Sequence, residues 1–402
     1  RWQHVVTQYL PLLSDLVDYI HETEAEEYGK EFGPHVRRAA ARLADKFIDR
    51  ELRQELQGIA SVTNSVGLTY DKLLVLNIGY DLLARCTSAV IERPGTKPVH
   101  LRNMDWDAES FWPLTINAEF IRDGEVVFKG TTWVGFVGLM TGMRIGSWSV
   151  SLNFRKVSGA IAILANIIML LRGAFPLSFL VRRSLQDLSD FQAAFDRLRQ
   201  ARIMAPCYLA LAGSAAGEGV VMERSRLRVD RCQALDDAWV CAPRIHIAPG
   251  MCLITNLDCC RSSFDFAKGS ADMKWAANDP LLLNALERRE RARELLREWI
   301  SADDDSSGYI PCTSRDSGKN CFRLSDGFRI LGTAPICNDQ TVYSCVMRPS
   351  DSSYTSRTIL KWEEHAREVD DAAMNAFRGT AAYAATKEHL LIRDRSDKWP
   401  SV

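Results

Sequence analysis

Residues 85 to 90, RCTSAV, put a cysteine at the head of a short apolar alternation, and no cysteine occurs in the 85 residues before it. A thiol attacks acyl groups once a base takes its proton, and the usual base is histidine. The seven histidines, at 4, 21, 35, 100, 246, 365 and 389, form no recognisable cysteine–histidine motif. Another base appears if the chain is cut just before Cys86. A free α-amino group titrates at about 7.7–8.0, beside the thiol's own range, so an N-terminal cysteine carries its own base. On that reading the residues before Cys86 are a detachable piece. A cysteine opening an apolar strand equally suits a small buried residue. Indeed Cys312-Thr313-Ser314 repeats the tripeptide in a polar stretch without any supporting motif.

Composition narrows the surroundings. The chain has 402 residues, 47% hydrophobic, enough for substantial cores. Fifty basic against fifty-one acidic residues create no field for nucleic acid, and the pairs Arg182-Arg183 and Arg288-Arg289 are too short for a phosphate-binding stripe. Nucleic acid is therefore not expected as a partner. The longest apolar run, 159 to 171, falls short of the roughly 20 residues a spanning helix needs. The eleven cysteines are odd in number and irregular in spacing, with Cys259 and Cys260 adjacent, which suits neither a disulfide scaffold nor a zinc site. No metal or cofactor is expected. The chain begins at Arg1 without a signal-peptide pattern and contains no N-x-S/T sequon.

The elements that must hold Cys86 follow from periodicity. Residues 1 to 85 read as helical, with Val5, Val6, Tyr9, Leu13, Leu16, Val17 and Ile20 at three- and four-residue steps. From 86 the texture changes to CTSAVI, VHLRNMD, LTINAEFI, VVFKGTTWV and SWSVSLN, a sheet whose clearest turn is Asp123-Gly124. Helix returns over 159 to 202, with Ser189 as an N-cap. Strands follow in PCYLALAGS, GVVMERS and MCLITNLD, then the helix LLLNALERRERARELLREWI and the strand TVYSCVM. Residues 301 to 320 and 349 to 356 read as loops, and 357 to 390 as one or two terminal helices.

Cys86-Thr87-Ser88, followed by Arg102-Asn103-Met104-Asp105, resembles the choloylglycine-type N-terminal nucleophile amide hydrolases, in the branch of acid ceramidase and N-acylethanolamine-hydrolysing acid amidase. The resemblance continues in family order through VFKGTTWVGFVGLMTG, PLSFLVRRSL, GEGVVMER, ITNLD, ERR at 287 to 289 and TVYSCVM, over roughly residues 55 to 350. It implies an α+β fold, the four-layer αββα N-terminal nucleophile hydrolase architecture. It also implies two pieces made by self-cleavage between Arg85 and Cys86. One is a helical α-chain, 1–85; the other is a catalytic β-chain, 86–402, with a helical tail from about 350. The two would remain together as a heterodimer.

Site roles carried over by the resemblance are these. Cys86 is the nucleophile, and its freed amine is the base. Arg102 is a fixed positive charge favouring thiolate. Asp105 accepts from the new amine, and Asn256, in the T-N position, donates to the tetrahedral oxyanion. Arg288, the first arginine of the family's D-D-R-R stretch, braces the site. Met104, Trp106, Trp133, Phe136, Met140 and Trp148 lie in segments that border an acyl channel. Strict alternation puts Arg102 and Asp105 on opposite strand faces, so a shared site needs a strand end or bulge.

The implied activity is hydrolysis of a fatty acyl amide, N-acylethanolamine-like first and ceramide-like second. A non-catalytic lipid-binding relative is the alternative. The resemblance implies a lysosomal or secreted protein, and the apolar stripe of the first helices suggests a membrane surface as a further partner, or packing on the β-chain. Three departures stand out. Phe154 occupies the position of a family glutamate, which implies activity extending toward neutral pH. Arg85 replaces an uncharged residue before the nucleophile. With no cysteine before 86, no disulfide ties the two pieces together.

Overall fold

The computed structural model describes residues 1–79, 85–106, 108–155, 160–245, 248–257, 280–301 and 322–358. Five helices come first: α1 Gln3–Gln8, α2 Leu10–Tyr28, α3 Gly33–Asp45, α4 Arg50–Thr63 and α5 Tyr70–Gly79. Local chemistry sets their starts. Pro11 sits in the first turn of α2, and the Asp49 carboxylate caps α4 by accepting from the Glu51 amide at 2.9 Å.

Strands β1 Arg85–Ile91, β2 Val99–Asp105, β3 Thr115–Arg122, β4 Glu125–Trp133, β5 Thr141–Arg144 and β6 Trp148–Phe154 follow. Asp123 and Gly124 both have positive φ, 55° and 85°, which is the backbone a two-residue hairpin between β3 and β4 demands. Helices α6 Ala160–Leu171, α7 Leu177–Asp187 and α8 Phe191–Gln200 separate these strands from β7 Cys207–Gly213, β8 Gly219–Arg224, β9 Val229–Ala234 and β10 Met251–Ile254. Helix α9 Pro280–Ser301, helix α10 Leu324–Leu331 and strands β11 Thr341–Arg348 and β12 Ser353–Thr358 complete the described chain.

Two sheets stack. One runs β10-β1-β2-β11-β12, the other β3-β4-β5-β6-β7-β8-β9, all pairs antiparallel. On the five-stranded sheet, Ala89, Ile91, Leu101 and Leu253 face outward and pack with Leu295, Leu296 and Trp299 of α9 and Ile330 and Leu331 of α10. The intervening residues Val90, Cys252 and Ile254 face the other sheet and meet Tyr208, Ala210 and Val221. Helices α7 and α8 cover the far side of the seven-stranded sheet, so the layers run αββα. This is the expected α+β architecture.

The N-terminal helices join the largest core. Val5, Val6, Tyr9, Leu13, Leu16 and Val17 are all buried in it, so the stripe that suggested a membrane surface is a packing face. Removing such side chains from water stabilises by about 1.5–3 kcal/mol each. Polar anchors fix the docking. The Asn77 amide donates to the Gly135 carbonyl at 2.9 Å and accepts from the Val137 amide at 2.8 Å. Buried Arg182 of α7 stacks 3.9 Å from the Phe120 ring centre and faces Glu55 of α4 at 3.5 Å.

Two local readings need correction. Helix α8 is capped by Asp190, not Ser189, because the Asp190 carboxylate accepts from the Ala193 amide at 2.8 Å. The polar stretch at 349 to 356 is a short turn and then β12, since pairing with β11 outweighs its loop-like composition. The expected tail helices lie outside the described residues, apart from 357 and 358 at the end of β12.

Candidate active site

Cys86 lies near the start of β1, opposite Met104 of β2, and is fully buried in the unbroken chain. On its other side β10 pairs with β1 only as far as Ser88↔Ile254. Two residues further along each strand, Asn256 faces Cys86, and there a side chain takes over from the ladder. The Asn256 Oδ1 accepts from the Cys86 amide at 2.6 Å. The sheet thus releases the backbone nitrogen of Cys86 from strand pairing at the bond where a cut is expected.

On the helix side of β1 and β2, Arg288 reaches in from α9. Its guanidinium donates to the Cys86 carbonyl at 2.8 Å, the Thr87 hydroxyl at 2.9 Å, Asp105 Oδ2 at 3.1 Å and Asn256 Oδ1 at 3.1 Å. Asn284, one turn earlier on α9, accepts from Arg288 Nε at 2.9 Å and steers it. Asp105 also accepts from Thr341 at 2.8 Å and from the Asn338 amide at 3.4 Å. Burial pushes the Asp105 carboxyl up, while Arg288, Thr341, Asn338 and Arg102 oppose it.

On the inter-sheet side stand the Cys86 thiol, Ser88, His100, Arg102 and Met104. Arg102 donates to Asn153 Oδ1, to the Leu152 carbonyl at 2.8 Å, to Ser88 Oγ at 3.2 Å and to Met104 Sδ at 3.2 Å. That same thioether lies 3.4 Å from Cys86 Sγ, so Met104 stands between the guanidinium and the thiol. Burial pushes the thiol up. Arg102, then Arg288 and a hydrogen bond from the Asp105 backbone, pull it back, against the Asp105 charge.

The five expected catalytic residues therefore converge, with the opposite-face problem solved in an unexpected way. Arg102 and Asp105 do point to opposite faces. Arg102 sits on the thiol's side, and Asp105 reaches the Cys86 backbone through Arg288, beside a register shift in β11 between Thr341 and Tyr343. Two orientations belong to the unbroken chain. Asn256 there accepts from the Cys86 amide, while Asp105 meets Arg288. The Asn256 amide also donates to the Phe154 carbonyl at 2.8 Å, so in the unbroken chain it is engaged there instead of turned toward an oxyanion. The reason is that two donors, Cys86 N–H and Arg288, face its oxygen and fix which way the amide lies.

Phe154 contributes that carbonyl. Its side chain continues the face of Val150 and Leu152, away from the Ser149, Ser151 and Asn153 face that meets the nucleophile's sheet. Of the expected channel residues, Met104 touches the thiol. Trp106, Trp133 and Phe136 form one buried cluster with Phe111, with Trp133 ring centres 5.2 Å from Trp106 and 5.7 Å from Phe136. Met140 is core, its carbonyl accepting from the Leu152 amide. Trp148 is not at the site. It lies at the far end of β6 and its indole donates to the Leu188 carbonyl at 3.1 Å, because even positions on this strand face the α7 layer. Sequence reading missed Ser88, Asn153, Thr87, Thr341 and Asn338. Four of these carried a signal: Thr87 and Ser88 stand in the Cys86-Thr87-Ser88 motif, Thr341 opens TVYSCVM, and Asn153 lies beside Phe154 in LNFR. Among the described residues no group of His, Cys, Asp and Glu is arranged to hold a metal.

No family model matches the chain. An N-acylethanolamine-hydrolyzing acid amidase of Caenorhabditis elegans is 29% identical over 362 residues, 87% of this chain and 85% of that protein. The acid ceramidase of Mus musculus is 31% identical over 246 residues, 56% of this chain and 60% of that protein. The solved structure of the Caenorhabditis elegans N-acylethanolamine-hydrolyzing acid amidase ortholog superimposes with a TM-score of 0.51 and 27% identity, covering 68% of this chain and 100% of that one. The chain is a homologue of these amidohydrolases and carries the N-terminal nucleophile hydrolase fold.

Proposed function

We propose that this chain is a self-processing hydrolase of fatty acyl amides, N-acylethanolamine-like before ceramide-like, working through a thioester on Cys86. The observation that carries the reading is the convergence of Asn256 and Arg288 on the backbone of Cys86, with Arg102 on its thiol side. The broader match to the amidase, 85% of that protein against 60% of the ceramidase, supports the substrate order.

In processing, Cys86 Sγ attacks the Arg85 carbonyl carbon, the Arg85–Cys86 C–N bond breaks and its nitrogen takes a proton. Water then hydrolyses the Arg85 thioester, leaving residues 1–85 with a carboxylate and Cys86 with a free thiol and amine. In turnover the amine accepts the thiol proton and the sulfur attacks the substrate's acyl carbon. The departing amine takes that proton, and water releases the fatty acid. Asn256 Oδ1, already at the Cys86 nitrogen, holds the new amine. Arg288 opposes the burial that pushes the Asp105 carboxyl up and fixes the backbone around the nucleophile. Arg102 draws the thiol toward thiolate. Reorientation of the Asn256 amide after the cut would free its NH2 for the oxyanion.

Denaturing gels test this directly. Wild type should give fragments of 85 and 317 residues (402 minus 85), the larger beginning Cys-Thr-Ser, while Cys86→Ala stays whole and hydrolyses no acyl amide. A wild type that stays whole from mildly acidic to neutral pH and releases no fatty acid overturns the reading in favour of a lipid-binding relative.

A lipid surface enters through a different element than the first helices. Leu164, Ile167, Ile168 and Leu171 share one face of α6 and are exposed, as are Phe32, just before α3, and Val36 in it; α3 contacts α6. An apolar stripe of this size on a surface helix suits the headgroup boundary of a bilayer that supplies acyl substrate. Vesicle sedimentation should lose most binding in Ile167→Asp; equal binding by wild type and variant sinks this part.

A further inference from the structure

A buried polar chain crosses between the two sheets beside Cys86, and apart from Arg102 at its end its members have no place in the mechanism above. It runs from Ser149 to His100, Ser151, Ser88, Asn153 and Arg102, all buried. His100 Nδ1 lies 3.0 Å from Ser149 Oγ, and its Nε2 lies 2.8 Å from Ser151 Oγ. Ser151 Oγ lies 2.8 Å from Ser88 Oγ, and Ser88 Oγ lies 2.7 Å from Asn153 Oδ1.

The direction of every proton follows from the Arg102 end. A guanidinium only donates, so Asn153 presents its oxygen there and its NH2 to the carbonyls of Thr255 at 3.3 Å and Ile254 at 3.4 Å. Ser88 must give its hydroxyl proton to that oxygen, leaving its own oxygen to accept from Arg102 and from Ser151. Ser151, having given its proton to Ser88, must accept from His100, so Nε2 carries hydrogen. Ser149 can then turn its proton to Nδ1, for its other acceptor, the Ala212 carbonyl, is 3.4 Å away. Burial and the nearby Arg102 charge hold the ring neutral, consistent with this tautomer.

We infer that His100 is a positioning residue for the nucleophile's cationic neighbour. As the Nε2–H tautomer it polarises the Ser151–Ser88 chain, which locks the Asn153 amide and so the Arg102 guanidinium against Met104 and the thiol. The inference rests on the amide-hydrolase reading for its kinetic part and on the geometry alone for its tautomer. Such a chain has one sense only. Removing the donor at its head lets Ser151 and Ser88 turn their protons elsewhere, and Arg102 loses a fixed acceptor at Ser88.

The experiment has two arms. In the uncut Cys86→Ala protein, nitrogen NMR of labelled histidine should show His100 as Nε2–H from pH 7 down to pH 5; an Nδ1–H ring or an imidazolium overturns the assignment whether or not the protein is an enzyme. In the cut enzyme, His100→Leu and Ser151→Ala should lower kcat about tenfold to a hundredfold with KM unchanged, as expected for small misplacement of a reacting group. His100→Gln, whose amide replaces the Nε2 donor, should restore most of the rate with the wild-type pH profile. An active wild type whose Ser151→Ala and His100→Leu variants match its kcat removes the positioning role, and so does a His100→Gln profile displaced along the pH axis. A wild type with no hydrolysis at all sinks the amidase reading instead and leaves the NMR arm to decide the tautomer.

Discussion

The two faces of β1 and β2 hold their buried cations by different means. On the helix side Arg288 meets an acidic partner, the Asp105 carboxyl, and ties it to the backbone of Cys86. On the inter-sheet side Arg102 rests on neutral acceptors, an amide, a hydroxyl, a carbonyl and a thioether. The first arrangement is locally balanced and suits fixing the backbone. The second leaves more of the positive field to act on the thiol, whose ionisation burial opposes. The same residue type thus serves as a brace on one face and as a source of field on the other, and only its acceptors tell the two apart.

Breaking the helix-side pair should have the largest effect. Arg288→Ala leaves Asp105 buried without its counter-charge, which costs on the order of 3–5 kcal/mol, and should stop processing. Chemical denaturation of the uncut protein, read beside gels, checks both. Wild-type stability would mean the pair is dispensable.

Asn256 sharpens the comparison at the seam between the faces. Asn256→Ala should slow turnover about a hundredfold. Asn256→Asp keeps an acceptor for the Cys86 amine and should retain more activity than alanine if holding the amine is the larger role. Equal losses in both variants would return the weight to oxyanion donation.

The inter-sheet face makes a pH prediction. His100 is held down to about 3 from its ordinary 6.5 by burial first and Arg102 second. Its folded-state pKa is depressed, so it stays neutral while the unfolded chain takes up a proton. Its contribution is full above 6.5 and is lost progressively as pH falls toward 3, with a slope of up to about 1.4 kcal/mol per pH unit. His100→Gln should flatten the acid limb of stability by about one proton, measured by denaturation at several pH values. An unchanged slope would mean the ring titrates alike in both states.

The smallest effect is expected at Phe154. A carboxyl there would lie on the α7 side of β6, so Phe154→Glu should leave the pH profile of turnover nearly in place. A marked acid shift would show that residue 154 couples to the nucleophile across the strand.

Much of this was readable in the sequence, and the gaps have causes. Strand alternation correctly separated Arg102 from Asp105, but it gave no sign that Arg288, some 180 residues later, closes the distance through backbone contacts. Cys86, Asn256 and Arg288 came from motifs. Ser88, Asn153 and Ser151 are small polar residues in strands, typical of a solvated face, and only the stacking of a second sheet turns that face into a buried network. Membership of the segment SWSVSLN does not say which side of β6 Trp148 points to, and its indole meets Leu188 on the α7 side. The apolar stripe of the first helices was legible as a stripe, though periodicity does not say what lies against it.

That stripe has a kinetic consequence. Residues 1–85 contain no cysteine and meet the rest of the molecule through Val6, Leu13, Leu16 and their neighbours. Before the cut, unfolding is unimolecular and the chain can retrace its path. If the chain is cut before Cys86 as proposed, losing the helical piece becomes a dissociation into two polypeptides, so recovery is second order and depends on dilution. The cut molecule's lifetime is then set by how slowly that helical layer departs, and heating a dilute sample should inactivate it in a way that added free 1–85 peptide slows.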